Sequence, residues 1–394
     1  MAEPVVQKVM TPDNLFDPKL YREVRNPLSK ASTLPGWCYA DPAFYGREVE
    51  TIFDKCWHFV GREDEIPAHG DYLTFDGVPG SVIVMRSETG EVKAFRNSCR
   101  HRGTQLLSGS GSTRQIVCPY HSWVYACDGK LLRAPGMNCA ADFDTGDYGL
   151  VSVTLSAWAG FLFIRYSDSG PSLMEWLGNL PDFFKDYSSA DLRCVRRVSF
   201  DVRCNWKFLM ENALETYHTG TVHRQTLGRQ QSEPATTEGE WSCLRVFVAG
   251  KQTLSVLSEE DGALPVNPHI PGDQMTSTFF TNIYPCTQFV FASDSMWWLA
   301  VRPESADRSR LEVGSCFSAD VISRPDFEDK VQAYFERWDT ATPEDNAICE
   351  LQQAGSRAAP FAQGRFGKEE ALVHALANWV LDNVLQTQPR ATTA

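Results

Sequence analysis

The stretch Asn97–Leu132 reads NSCRHRGTQLLSGSGSTRQIVCPYHSWVYACDGKLL. It holds Cys99-x-His101 and, sixteen residues later, Cys118-x-x-His121. Each arm offers one thiolate and one imidazole from a short loop. Gly103 and the run Gly109–Gly111 suit tight turns there. From 57 to about 165, runs such as YLTFDG, SVIVMRS, VKAFRN, QIVCPY and GFLFIRY are separated by Gly, Asp and Ser clusters. That is the text of a small antiparallel β domain.

Two loops that each bring one Cys and one His meet the needs of a Rieske-type [2Fe–2S] cluster. In such a cluster two Cys hold one iron and two His the other. Neutral His ligands raise its potential, to roughly −150 to +300 mV across the class, so it can pass electrons to an oxygen site. Zinc is the rival reading, because it also takes Cys₂His₂. Its usual fingers, however, group Cys with Cys and His with His. Pro119 and Trp123 offer an apolar wall for a cluster, or ordinary packing of the β domain.

A second constellation lies in NWKFLMENALETYHTGTVH (205–223). On a helix, Glu215 and His218 are three apart and can touch. His218 and His223 are five apart and would diverge on an ideal helix, at about 100° per residue. Gly220 lies between them and can end or distort that helix, letting both imidazoles converge. Two His and one carboxylate form the facial triad of non-haem Fe(II), with positions left open for O₂. Standing alone, two His near a helix end would read as ordinary polar residues. Beside the first motif they read as ligands.

CRHRG followed by CPYHSWVYACDGKL resembles the Rieske domain of ring-hydroxylating and related oxygenases. It does not resemble that of cytochrome bc complexes, whose cluster loops usually carry an extra disulfide pair. The second stretch resembles the family's Glu/Asp-x-x-His-x-x-x-x-His segment, and PEDNAICELQQAG (343–355) its Glu-Asp…Glu-x-Gln-Gln pattern. The resemblance covers most of the chain in order. It implies Cys99, His101, Cys118 and His121 as cluster ligands, and iron held by His218, His223 and Asp345, with Glu344 and Glu350 as alternatives to Asp345. It also implies that Glu215 joins His218 of one subunit to His121 of the next, in a head-to-tail homotrimer. The matching acid in the family is usually Asp. Glu resembles the branch acting on quaternary ammonium compounds such as choline and carnitine. Asn212 falls where the family places an Asn beside the iron, or is a plain helix-surface amide.

The implied fold is α+β: an antiparallel β Rieske domain (43–165) plus a helix-grip-like catalytic domain (166–394) with a central antiparallel sheet and flanking helices. Residues 1–42 are expected to pack on the catalytic domain. Periodicity predicts helices at 44–56, 172–187, 206–218, 326–358 and 367–384, and strands at 195–204, 276–303 and 308–321. The polar segment 226–275 reads as a lid or substrate loop, and Gln386–Ala394 as a frayed tail. Phe279, Phe280, Tyr284, Phe289, Phe291, Trp297 and Trp298 are candidate pocket walls, although aromatics in strands are more often core.

Composition narrows the function. The net charge of −13 argues against nucleic-acid binding. No run approaches a membrane span, and the N-terminal residues lack the apolar core of a signal peptide, so the expectation is a cytoplasmic protein with no membrane partner. Its 12 Cys then read as thiols and ligands rather than disulfides. No GxGxxG opens a helix after a strand, so electrons must come from a separate NAD(P)H-dependent reductase, directly or through a ferredoxin. Arg96, Arg100 and Arg102 could dock an acidic redox partner, or serve as local salt-bridge residues. Two rivals remain from the residues alone: a Rieske electron carrier without oxygen chemistry, and a zinc-stabilised binding protein.

Overall fold

The computed structural model describes Pro12 and residues 14–248, 251, 253–258, 263–358 and 362–386. Two compact units emerge, one of residues 53–176 and one of residues 1–52 with 177–394. Of the frayed tail expected at Gln386–Ala394, all but Gln386 lies outside the described residues.

The first unit is built of ten short strands: β1 (His58–Arg62), β2 (Asp71–Phe75), β3 (Val82–Arg86), β4 (Val92–Arg96), β5 (Ser110–Ser112), β6 (Gln115–Val117), β7 (Val124–Ala126), β8 (Leu131–Arg133), β9 (Thr154–Trp158) and β10 (Phe161–Arg165). They form three antiparallel sheets, ordered β4-β3-β2-β5, β6-β7-β8 and β1-β10-β9. One core joins Phe95, Ile116, Trp123, Tyr125 and Leu131 to Cys99 and Cys118. A second joins Val60, Leu73, Val84, Leu162 and Ile164. The two cysteines of the motif are thus held inside packed apolar walls.

The second unit carries a seven-stranded antiparallel sheet. Its strands are β11 (Leu192–Val202), β12 (Gln231–Pro234), β13 (Trp241–Phe247), β14 (Thr278–Ile283), β15 (Thr287–Phe291), β16 (Met296–Ser305) and β17 (Arg308–Ser318). Their order is β11-β17-β16-β15-β14-β13-β12. Opposite Trp298 the register places Gly314. A Cβ there would meet the indole at 1.9 Å, so only glycine lets this ring lie across the neighbouring strand. The polar segment 226–275 is therefore no plain loop, because β12 and β13 form one edge of the sheet. Residues 249–250, 252 and 259–262 of that segment lie outside the described residues.

Five helices matter for the site: α1 (Pro42–Glu48), α2 (Trp206–Asn212), α3 (Thr219–Val222), α4 (Phe327–Ser356) and α5 (Ala371–Val384). Apolar residues seat α4 on the sheet, with Trp338 and Tyr334 against Trp297 and Phe327 against Phe317. The predicted helix 172–187 is instead broken into short turns. Gly178 has a φ of +52°, and a Cβ on it would run into the Glu238 carbonyl at 1.9 Å. Pro181 follows three residues later.

The predicted helix 206–218 stops at Asn212. Asn205 caps its start by accepting from the Lys207 N–H. Gln353 of α4 holds that cap, accepting from the Asn205 N–H at 2.7 Å and donating to the Tyr39 carbonyl at 3.1 Å. Beneath it, Glu48 of α1 accepts from Lys207 at 2.6 Å and from the Trp206 indole at 3.1 Å, all of them buried. These contacts fix α2 against α4, the two elements that face each other at the site. Among the described residues, no helix is long and apolar enough to cross a membrane.

Candidate metal centres

Two loops of matching shape carry the first centre. In one, Cys99 accepts at its carbonyl from the Gly103 N–H (2.9 Å); in the other, Cys118 accepts from the Ser122 N–H (3.1 Å). Gly103 and Ser122, each four residues after its Cys, both take the left-handed backbone that such a turn requires, with φ of +77° and +58°. The Nδ1 atoms of His101 and His121 face each other at 3.1 Å. His101 stacks on the buried Trp123 ring, centroids 5.0 Å apart. The Tyr125 hydroxyl lies 3.2 Å from Cys99 Sγ and accepts from the Arg100 N–H.

Electrostatics prepare these donors for metal. Burial pushes the Cys118 thiol up, but backbone N–H groups of Tyr120 and His121 outweigh it, and the thiol sits below its ordinary value. His121 is lowered by desolvation and by the nearby His101 and Arg102 side chains, which favours the neutral imidazole a metal needs. Among the described residues, the only three ligating side chains whose donor atoms all lie within 4.8 Å of one another are His218, His223 and Asp345. The two His donors pair with each other, and the Cys118 thiol interacts with Cys99. A two-iron cluster of this type takes one His pair and one Cys pair.

The second centre starts where α2 ends. Glu215 and His218 do meet, but in the turn after the helix rather than on it. Glu215 Oε1 accepts from His218 Nδ1 at 2.7 Å, and its other oxygen accepts from the N–H groups of Tyr217 and His218. Gly220 lies within α3 and does not end a helix; the chain has already turned at Ala213. His223 follows α3 and is buried. Its Nδ1 donates to Glu344 Oε2 at 2.6 Å, which the Thr226 hydroxyl also reaches at 2.8 Å.

With both Nδ1 atoms held by carboxylates, both Nε2 atoms turn toward Asp345. The distances to Asp345 Oδ1 are 3.6 Å from His218 and 3.0 Å from His223. Asn212 Nδ2 donates to the same oxygen at 3.2 Å. Burial alone would lower His223, yet the Asp345 and Glu344 carboxylates outweigh it and raise its pKa. Glu344 and Asp345 are adjacent on α4, about 100° apart, so one faces the back of His223 and the other its front. Sequence reading offered Glu344 only as an alternative ligand; the structure sets it behind the imidazole. Glu350 pairs with Arg203 at 2.9 Å instead. Replacing Glu344 by Gln is expected to weaken iron binding about 10- to 100-fold. Iron retention against a chelator, with an unchanged cluster spectrum, checks this.

Both His and Asp345 line a cavity with Leu209, Val246, Leu299 and Leu311. Of the seven candidate aromatic walls, Phe280 alone lines it. Phe279 and Phe291 pack on Phe184, and Trp297 on Trp338, as core. Two lining residues, Arg337 and Trp338, were missed because a lone Arg on an acidic helix gives no sequence signal. Of the three arginines near the cluster, Arg100 and Arg102 are exposed, while Arg96 covers the Tyr166 ring at 4.4 Å.

Behind α2, burial raises the Glu211 carboxyl to about 7, although the Tyr39 hydroxyl (2.8 Å) and Lys207 work against it. A carboxyl raised on folding favours the protonated native state. Its cost to stability grows from pH 4.5 to 7 and stays level above. Glu211→Gln is therefore expected to stabilise the protein by about 2–3 kcal/mol at pH 8, and by progressively less toward pH 5. Thermal melts of both proteins at the two pH values check the sign.

Residues 56–146 match the Rieske [2Fe–2S] domain, and residues 189–386 match the catalytic domain of the ring hydroxylating alpha subunit. The chain belongs to the ring-hydroxylating alpha-subunit family, the oxygenases that pair a Rieske [2Fe–2S] cluster with a mononuclear iron. The chain is similar to the glycine betaine monooxygenase oxygenase subunit of Chromohalobacter salexigens, 27% identical over 90% of this chain and 86% of that one. It is also similar to the chloroplastic choline monooxygenase of Beta vulgaris, 29% identical over 89% and 75%. The fold is that of naphthalene 1,2-dioxygenase from Rhodococcus sp. bound to indole, with a TM-score of 0.79 at 20% identity, covering 95% of this chain and 100% of that one. The catalytic-domain match excludes the carrier without oxygen chemistry. Family members work with a separate reductase and O₂.

Proposed function

We propose that this terminal oxygenase hydroxylates an N-methyl or comparable C–H carbon of a small methylated amine. The iron would be held by His218, His223 and Asp345, and the cluster by Cys99, Cys118, His101 and His121. The observation that carries the reading is the convergence of both His Nε2 atoms and the Asp345 carboxylate on the wall of one largely apolar cavity. The amine class is supported by the relatives that are glycine betaine and choline monooxygenases, and by Glu215 standing where Asp is usual.

When bound, the cluster supplies single electrons and the mononuclear iron the Lewis-acid and redox chemistry that activates O₂. The chain's own residues prepare the site. Glu215 and Glu344 each hold an imidazole Nδ1 proton, which leaves the Nε2 lone pairs facing inward. Asn212 orients Asp345. The leucines and Val246 exclude water and press the substrate's C–H bonds toward the ligands.

A head-to-tail homotrimer fits each centre taken by itself. Tyr120 is 56% exposed beside His121, and Tyr217 is 71% exposed beside His218, so each centre presents an uncovered aromatic surface. Light scattering should then give about 133 kDa, three times 44.2 kDa; a monomer mass would contradict it. The activity is tested by single turnover of the reduced protein with ¹⁸O₂ and a panel of methylated amines and arenes. One labelled oxygen in the product, or release of a methyl as formaldehyde, supports the proposal. Two labelled oxygens on an arene ring would overturn it.

A further inference from the structure

The cavity at the iron site holds one permanent cation that the reaction as described does not use. Arg337 lies on α4 about two turns before Asp345 and is 2% exposed, yet it lines the cavity. Its Nε donates to the Leu254 carbonyl at 2.8 Å, and the guanidinium lies over the Trp338 ring at 4.4 Å. Those contacts fix the side chain but do not neutralise it. Among the described residues, no carboxylate lies within the 4 Å of an ion pair. The buried Asp294 next to this helix is already occupied, by Tyr334 (2.7 Å), Ser255 (2.6 Å) and Ser295 (2.9 Å). Asp345, whose charge Arg337 feels without an ion-pair contact, is engaged with His223 and Asn212.

A buried guanidinium without a carboxylate in direct contact is costly unless a ligand supplies one. Its planar fork suits a carboxylate. The same positive charge repels a ligand that is only a cation. Among the described residues, the lining forms no cage of aromatic faces that would hold a bare ammonium. Phe280 and Trp338 are the aromatic rings in the lining, and one face of Trp338 is covered by Arg337 itself.

We infer that Arg337 is a specificity-determining residue that binds a carboxylate on the substrate. Resting on the amine oxygenase reading, this narrows the substrate to a methylated amino acid or betaine type, with the anion at Arg337 and the methyl groups toward the iron ligands.

Calorimetric binding to the anaerobic holoprotein tests it with matched pairs: glycine betaine against choline, N,N-dimethylglycine against N,N-dimethylethanolamine, and benzoate against benzamide. At least one carboxylate should bind about 10- to 100-fold tighter than its neutral-ended partner. Arg337→Gln should erase that difference, and Arg337→Lys should keep part of it. The wild-type comparison stands even if a variant fails to fold. Equal binding within every pair, no binding of any carboxylate, or an Arg337→Gln protein with an intact cluster spectrum and undiminished carboxylate affinity would overturn the inference. Tight binding of benzoate alone would leave Arg337's role standing and sink the amine reading. Preference for choline would sink Arg337's role and leave the amine reading standing.

Discussion

Replacing His223 by Ala is expected to remove one iron of about three per chain and reduce product formation to background, while the visible spectrum of the cluster stays unchanged. The imidazole is buried, its Nδ1 is fixed by Glu344 at 2.6 Å, and its Nε2 lies 3.0 Å from Asp345. Among the described residues, its polar neighbours are engaged elsewhere, since Asn212 donates to Asp345 and Glu344 lies behind the ring. Two protein ligands leave a divalent ion bound far more weakly than three. Iron analysis with optical spectroscopy separates the two centres. Retention of all the iron, or retained hydroxylation, would show that the ion is held elsewhere.

Glu215→Gln is expected to lower steady-state turnover about 10- to 100-fold while both metal contents persist. The carboxylate does two jobs. It accepts His218 Nδ1 at 2.7 Å, and it caps the turn by taking the N–H groups of Tyr217 and His218. Glutamine can keep one of these contacts through its oxygen, but it loses the negative charge that strengthens the bond to imidazole and tunes the ligand's basicity. A single turnover of pre-reduced protein compared with steady turnover shows where the loss falls. Unchanged turnover would count against any linking role for Glu215.

Much of this site could be read in the sequence because its chemistry is local. Cys99-x-His101 and Cys118-x-x-His121 each sit within one turn, so spacing alone reveals paired donors. His218 and His223 read as ligands only beside that motif, since their spacing alone fits ordinary polar residues. The details that failed depend on distant partners. The helix expected over 206–218 ends at Asn212, because Asn205, Gln353 and Glu48 hold only its first turn in place and the chain then bends to bring Glu215 under His218. The strand β13 hid inside a polar segment because it is buried along most of its length, so WSCLRVF shows no clean in–out alternation. The seven aromatics between Phe279 and Trp298 were candidate pocket walls, with core the commoner outcome for strand aromatics; Phe280 lines the cavity while Phe279, Phe291 and Trp297 pack in the core. Glu344 was legible only as an alternative ligand, not as the partner of His223 Nδ1, and Arg337 gave no signal, since acidic and basic residues on a long helix usually face solvent.

The central claim is that one chain holds two different iron centres. The most direct test is metal and acid-labile sulfide analysis of wild-type protein purified and reconstituted without oxygen. The structure predicts about three irons and two sulfides per chain, with no zinc. Two irons and two sulfides would leave only the cluster, and zinc without sulfide would remove both centres.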